Sequence, residues 1–548
     1  MLFRQIRSYF INKLNGWWLI SMLGAAVILL PILFVFLSIF EPPSEHWAHI
    51  KQYLIKDYML ETLILTGITA VTTMLLGVSL AWFVTVFDFP GRSILRWALV
   101  LPLAVPPYIG AYTYSTMFSY TGVVQVTLRD FGLEPSQEWI SLTSMRGAVV
   151  VFTLFLYPYV YLVTRAFLER QSAAFIENAR LLGRGSLSIF FRVVMPISRP
   201  AIVGGLSLVV FEVLSDYGVT QYFGLQTVTT AIFKTWFGMY DVNSAMRLAA
   251  WLMVVLAGVF LLERLLRRSR RFSSSTSKSK PLQPAKLSRV KGMGILLYGA
   301  AVLAAAFAVP IVQLSVWAGW TFRDVWNDQF MYYVGRTLYT AAAATAIIMI
   351  LSLVVGNATR SRTWGAALLS RLVIAGYSIP GAIIAIGVLG VFLRLDQAYI
   401  KLHAALGGTG TPVILSLTAG MLIFGYVVRF MATGYNAVEV GFEKTGTRYT
   451  EASRLLGRSR LATFWRIELP LIRGAVLSGC ILTFVEICKE LPLALLLRPF
   501  DFETLSTKTY QYANNEQIHE ASVPALLIIS ISFISVYVLH NLDKRWEA

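Results

Sequence analysis

Charge is scarce in this sequence. Of 548 residues, 14% are Asp, Glu, Lys or Arg, 56% are hydrophobic, and the mean hydropathy is +0.64. Soluble domains are about one quarter charged, so a water-soluble globular protein is excluded. Cysteine is nearly absent: Cys480 and Cys488 share one apolar run. Their spacing along a helix is about 12 Å, too far to bridge, so a disulfide scaffold is excluded. The five histidines carry little. His46 and His49 are three apart, a spacing open to a metal pair and equally to a plain surface loop. No Gly-x-x-x-x-Gly-Lys-Ser/Thr stretch occurs, so the chain has no phosphate-binding loop of this kind. No nucleophile–base arrangement or clustered His/Asp spacing marks a membrane enzyme. The net charge of +18 is spread over loops between apolar runs, which points away from a nucleic-acid partner.

What the chain has is apolar length. A bilayer core needs roughly 20 helical residues. Twelve runs qualify, near 17–40, 59–86, 97–117, 147–168, 201–223, 246–263, 293–319, 337–357, 371–393, 412–432, 474–498 and 522–540. The first follows Arg4, Arg7 and Lys13 and is longer than a signal-peptide core, so it reads as a retained span. The expected fold class is an all-α polytopic membrane protein. Basic residues cluster in alternate loops: Arg92 and Arg96, Arg165 to Arg199, Arg264 to Lys291, Arg360 to Arg371, and Arg448 to Arg473. The positive-inside rule puts these loops and both termini in the cytoplasm. Residues 264–292 are basic and rich in serine, and read as a flexible linker. They separate a half spanning 1–263 from a half spanning 293–548. An anionic-lipid contact is the other reading of that linker.

The two halves repeat. Between Glu177 and Ala201, 12 of 25 positions are identical to their partners between Glu451 and Ala475, a constant offset of 274 in the numbering. Glu177-Asn178-Ala179, Gly183 and Pro196 align with Glu451-Ala452-Ser453, Gly457 and Pro470. This is a tandem duplication, and six spans per half make the repeats parallel. Each stretch reads as a short amphipathic helix, a turn at the glycine, and a following helix whose first turn holds the proline. An amphipathic loop on anionic lipid is the plainer alternative. Acidic residues repeat in the same register. Glu212 and Asp216 in span five match Glu486 and Glu490 in span eleven, where Lys489 adds a cation. At i and i+4 each pair shares a helix face, and intramembrane charges are costly. Gathered about a common axis they make an oxygen-rich lining suited to hard cations. Lys489 is placed to neutralise one carboxylate or to hold the set together when empty. A structural ion-pair network between helices fits the same pattern.

The repeated stretch resembles the EAA loop of the membrane subunits of ABC importers, with departures at Asn178, Val193, Met195 and Ser453. Val213 to Gly218, Thr220 to Gly224, Ile232 to Phe237, Lys489 to Pro492 and Leu495 to Phe500 are similar to the fused two-half ferric-iron permeases. The resemblance covers almost the whole chain. It implies the type I importer permease fold and an inner-membrane location in a bacterium. It further implies coupling through loops 177–196 and 451–470. There Glu177, Ala179, Leu182, Gly183, Pro196, Glu451, Ala452, Leu456, Gly457 and Pro470 would meet two copies of a cytosolic ATPase. That partner would hold the ATP and Mg2+; this chain would bind no cofactor and catalyse nothing itself. A periplasmic iron-binding protein would deliver Fe3+ as substrate along a path lined by Glu212, Asp216, Glu486, Lys489 and Glu490, opened by alternating access. Permeases for thiamine, polyamine or phosphonate are similar enough to stay open as readings. A 12-span secondary transporter, with Glu212 or Glu486 carrying a proton, is the alternative from another class.

Overall fold

The computed structural model describes residues 16–133, 136, 140–170, 174–267, 284–360, 364–374, 376, 379–407 and 413–547. The principal helices of the first half are Gly16–Leu37 (α1), Ile55–Val86 (α2), Arg92–Ala98 (α3), Pro107–Met117 (α4), Met145–Arg170 (α5), Ala174–Leu181 (α6), Met195–Ser215 (α7), Gly218–Tyr222 (α8) and Val242–Arg267 (α9). Those of the second are Arg289–Leu303 (α10), Val309–Val325 (α11), Asp328–Thr359 (α12), Trp364–Ile374 (α13), Gly381–Ala405 (α14), Ala419–Thr445 (α15), Arg448–Leu455 (α16), Leu469–Lys489 (α17), Pro492–Leu497 (α18) and Ile518–Glu547 (α19). Among the described residues, 11 helices are long and apolar enough to cross a bilayer, and 12 spans result if the bent pair formed by Arg92–Ala104 and Pro107–Met117 counts as one. The offset of the repeat carries into three dimensions: α5 and α15 start at equivalent positions, and α7 and α17 match at both ends.

Several spans are interrupted where the sequence places proline or a capping acid. The third bends by 90° at Val105-Pro106-Pro107. A residue ahead of proline is driven out of the helical region, and Val105 is extended, with φ −98° and ψ 113°. Its counterpart breaks at Ile379-Pro380, ahead of α14. Spans five and eleven are shorter than the runs 201–223 and 474–498 indicate. They stop at Ser215 and Lys489, and the next residues, Asp216 and Glu490, are extended. The prolines of the repeated loops are also placed differently. The helices feeding α7 and α17 begin at Ser186 and Arg460, so Pro196 and Pro470 lie inside continuous 30-residue helices. Each follows a π-helical turn, Phe190–Val194 or Phe464–Glu468, in which Met195 N–H or Leu469 N–H donates to the carbonyl five residues back. Proline lacks an N–H and its ring pushes on the carbonyl four residues behind. A one-residue widening just before it relieves both problems. Ala304–Ala308 does the same ahead of Pro310.

The two halves are not separate packing units. Within each, an equivalent trio forms the core: α2 against α5 and α7, and α12 against α15 and α17. The opening helices are exchanged. α1 packs on α12, α13 and α14 of the second half, with Trp17 5.4 Å from Phe464. α10 packs on α3, and Tyr298 OH lies 2.8 Å from Ser79 Oγ on α2. The linker is shorter than 264–292. α9 runs to Arg267, Ala285–Lys286 pairs in parallel with Phe87–Asp88, and α10 begins at Arg289. The serine-rich stretch 268–283 lies outside the described residues.

Candidate functional site

The structure brings the duplicated acids to one cavity. Roughly 1070 Å³ of space, part of it open to the outside, is lined by α7, α8, α15 and α17 and by the break before α4. Glu212, Asp216, Glu486, Lys489 and Glu490 all face it, together with Pro106, Pro107, Tyr108 and Phe155. They arrive by two routes. Glu212 and Glu486 project from the last turns of α7 and α17. Asp216 and Glu490 do not share those helix faces, because the helices have ended. Each instead caps the short helix that follows. Asp216 Oδ1 accepts from Val219 N–H at 2.8 Å and Thr220 N–H at 3.3 Å, and Glu490 Oε1 accepts from Leu493 N–H at 3.3 Å. A short acidic side chain competes with the helix for nearby N–H groups, which is why an acid here interrupts the span rather than decorating it.

The cations are not duplicated. Lys489 Nζ meets Glu486 Oε1 at 2.7 Å, and the equivalent position of the first half holds Ser215. Arg429 lines the same cavity from α15, its Nε 3.6 Å from Glu490 Oε2, and its first-half counterpart is Phe155. Arg429 also donates to the Ile379 carbonyl, which fixes it to the break before α14. The sequence reading missed this arginine, although a lone charge inside the apolar run 412–432 is a readable signal. Four carboxylates therefore share the cavity with two cations. Among the described residues no three His, Cys, Asp or Glu side chains stand close enough to hold a metal ion, so these acids line a space and do not form a ready chelate. The His49 ring lies 5.1 Å from that of Tyr53, tilted against it, and joins no such group with His46.

At the other end of α7 and α17 lie the repeated loops. α6 and α16 are short helices that end at Gly183 (φ +73°) and Gly457 (φ +80°). Only glycine enters that left-handed region without strain. The turn is closed by Arg184 N–H to Ala179 O at 3.1 Å and Arg458 N–H to Ser453 O at 3.2 Å, the 6→1 bond of a Schellman end. Leu181, Leu182, Leu455 and Leu456 are 85%, 80%, 89% and 83% exposed. Paired leucines left this bare at both equivalent positions form two matched apolar knobs. Glu177, Glu451 and Ala452 are exposed beside them. Ala179 is turned inward, packed with Ile189 and Val194, and so is Ser453, its counterpart, whose Oγ lies 2.9 Å from Thr463 Oγ1. Pro196 and Pro470 are exposed on the helices behind.

Comparison with known proteins fits this architecture. The family described as binding-protein-dependent transport system inner membrane component matches residues 73–271 and again 348–548. The Fe(3+)-transport system permease protein FbpB 2 of Haemophilus influenzae is 23% identical over 492 residues, covering 88% of this chain and 89% of that protein. The sulfate transport system permease protein CysT of Salmonella typhimurium is 25% identical over 179 residues, 33% of this chain and 62% of that one. The molybdenum transport system permease protein ModB of Escherichia coli is 30% identical over 148 residues, 27% of this chain and 62% of that one. A gradient-driven secondary transporter is thereby set aside. The chain belongs to the binding-protein-dependent transport system inner membrane components, as a multi-pass, non-catalytic ABC permease subunit that carries the family's domain twice and works with an ATPase and a substrate-binding protein.

Proposed function

We propose that this permease imports ferric iron, handed over by a periplasmic iron-binding protein, across the inner membrane of a bacterium. In this reading both termini and both repeated loops face the cytoplasm, as the alternation of basic loops requires. Two copies of an ATPase, which themselves hold and hydrolyse ATP with Mg2+, dock on the exposed faces of loops 177–196 and 451–470, over the bare leucines and not on the buried Val194 and Glu468 behind them. Their closure moves α7 and α17, and the cavity between these helices alternates its access. The observation that carries the iron reading is the excess of four carboxylates over two cations in that cavity. Both cations are already engaged with acids, Lys489 with Glu486 and Arg429 with Glu490. A hard trivalent cation is attracted by such a lining, and oxygen ligands suit it. That the Haemophilus relative is named for Fe(3+) transport points the same way. The relatives named for sulfate and molybdenum transport favour an oxyanion instead. An oxyanion would need Arg429 and Lys489 freed from their carboxylates.

The deciding experiment is uptake of radiolabelled iron, sulfate and molybdate by cells lacking their own importers. The cells express this chain with its neighbouring ATPase and binding-protein genes. Iron accumulation that disappears in Glu486→Gln and Glu490→Gln at normal membrane abundance supports the proposal. Accumulation of sulfate or molybdate without iron refutes the ferric assignment.

A further inference from the structure

The repeat is nearly symmetric at the loops, but not in what fastens them. Arg360, the residue that ends α12, is held beneath the second loop. Its Nη1 reaches Glu468 Oε1 at 2.6 Å, and its Nη2 donates to Gly446 O at 2.7 Å and to Thr450 Oγ1 at 3.2 Å. Thr450 in turn donates to the same Glu468 oxygen at 2.5 Å, and the guanidinium lies 4.7 Å from the centre of the Phe442 ring. The arginine and glutamate side chains are 13% and 6% exposed. One guanidinium thus joins four segments: the end of α12, the end of α15, the loop helix α16, and the π turn that runs straight into α17. The far end of α17 carries Glu486 and Lys489.

At the equivalent positions the first half has valine: Val86 for Arg360 and Val194 for Glu468. Both are fully buried in an apolar cluster with Trp82, Phe87 and Ala179. Among the described residues the two fastenings differ in kind. Apolar contacts are non-directional and fix no single bond geometry. A charge-assisted network holds one geometry and loses its bonds when that geometry changes. A buried ion pair is a poor source of net stability compared with packed hydrocarbon, so stability alone gives no reason for the difference.

We infer that Arg360 and Glu468 form a charged clasp that makes the second repeated loop the stiff one. A displacement of α16 is passed to α17 and its cavity residues as a rigid motion, while the first loop is coupled to α7 by softer packing. Arg360 and Glu468 are positioning residues; neither touches the cavity. The inference rests on the proposal that these loops receive the ATPase.

The test uses the whole permease–ATPase complex in proteoliposomes, measuring ATP hydrolysed and substrate moved in the same sample. Glu468→Gln and Arg360→Lys each remove or weaken the charged bonds with little change in volume. Both should hydrolyse ATP at near the wild-type rate while the amount moved per ATP falls about tenfold, the loss expected for one charge-assisted hydrogen bond. Val194→Thr, the same layer in the first half, should change that ratio less than twofold. The exchange Arg360→Glu with Glu468→Arg should restore part of it. If Glu468→Gln keeps the wild-type ratio, or Val194→Thr lowers it equally, the clasp idea is wrong. Should the single variants be lost from the membrane, the exchanged pair decides: restored abundance without a restored ratio also overturns it. Leu456→Arg separates the underlying reading. If the ATPase still co-purifies with Leu455→Arg and Leu456→Arg combined, the docking proposal itself fails, whatever the clasp variants do.

Discussion

Replacing Gly381 bears directly on two residues of the cavity, Glu490 and Arg429. It opens α14, directly after Pro380, and a Cβ there would lie 2.5 Å from Glu490 Oε1, 3.4 Å from Arg429 Nε and 3.5 Å from Leu493 Cβ. Overpacking of a well-filled site usually costs about 1–3 kcal/mol. Here the atom in the way is the end of a flexible side chain, so Glu490 can withdraw and the lower half of that range applies. Withdrawal has a second cost. Glu490 caps Leu493 N–H at 3.3 Å and faces Arg429 at 3.6 Å, and both contacts lengthen together. A hydrogen bond to a charged group contributes about 1.5–3 kcal/mol; only the Leu493 N–H contact is one, the Arg429 contact being at ion-pair distance, and a partial lengthening forfeits about half of that bond. The two costs come to about 2–3 kcal/mol, so the expectation for Gly381→Ala is a lower apparent melting temperature in detergent and a fall of at least about tenfold in transport. Thermal shift and iron uptake at matched abundance read the two. Gly319→Ala, where a Cβ meets nothing within 4 Å, is the control. A Gly381→Ala protein that transports at the wild-type rate would refute the placement of Glu490 and Arg429. One that melts far earlier without a specific transport defect would refute the claim that the side chain yields.

Three further outcomes follow from the geometry. Lys489→Gln removes the 2.7 Å contact to Glu486 and raises the negative charge of the cavity, so iron should be taken up with a lower apparent KM and a lower maximal rate; an unchanged pair of constants counts against a pathway role. Gly183→Ala with Gly457→Ala forces two alanines to φ +73° and +80°, at about 1–2 kcal/mol each. Pull-down of the ATPase should weaken, and the Asn pair, which tolerates that region, should retain most of it. Gly387→Ala drives a Cβ into the Pro31 carbonyl and to 2.9 Å from Val35 Cγ2. Backbone cannot yield as a side chain does, so protease should cut near α1 in this variant at levels that leave wild type intact.

Much of this was legible in the sequence, because the signals were periodic or duplicated. Apolar runs give spans whatever they pack against, and one constant register ties loop to loop and acid to acid. What was hidden depends on where helices stop. Asp216 and Glu490 read as helix-face partners of Glu212 and Glu486 because four-residue spacing holds only while the helix continues. The cue for the break was local: an acid followed by Tyr217-Gly218 in one half and Leu491-Pro492 in the other. Pro196 and Pro470 misled for a related reason, since proline marks a first turn unless a π turn precedes it. The exchange of α1 and α10 left no trace in composition, because a lipid-facing helix and one docked on another half are equally apolar. Arg429 was visible but unduplicated, and a search for repeats passes over what occurs once.

The exchanged first helix has a consequence for biosynthesis. Pro31 docks against Gly387, so most of the chain is made between the two halves of that contact. At a synthesis rate of about 5–20 residues per second, α1 waits roughly 20–70 s in the bilayer for its partner surface. During that interval α1 has α9 of its own half to pack on, but the surface that it presents to the second half is unmatched. Synthesis of α12 to α14 therefore locks α1: helices made past the middle of the chain settle the position of the earliest, and a chain cut short before them is left with a loose N-terminal span that quality-control proteases can seize.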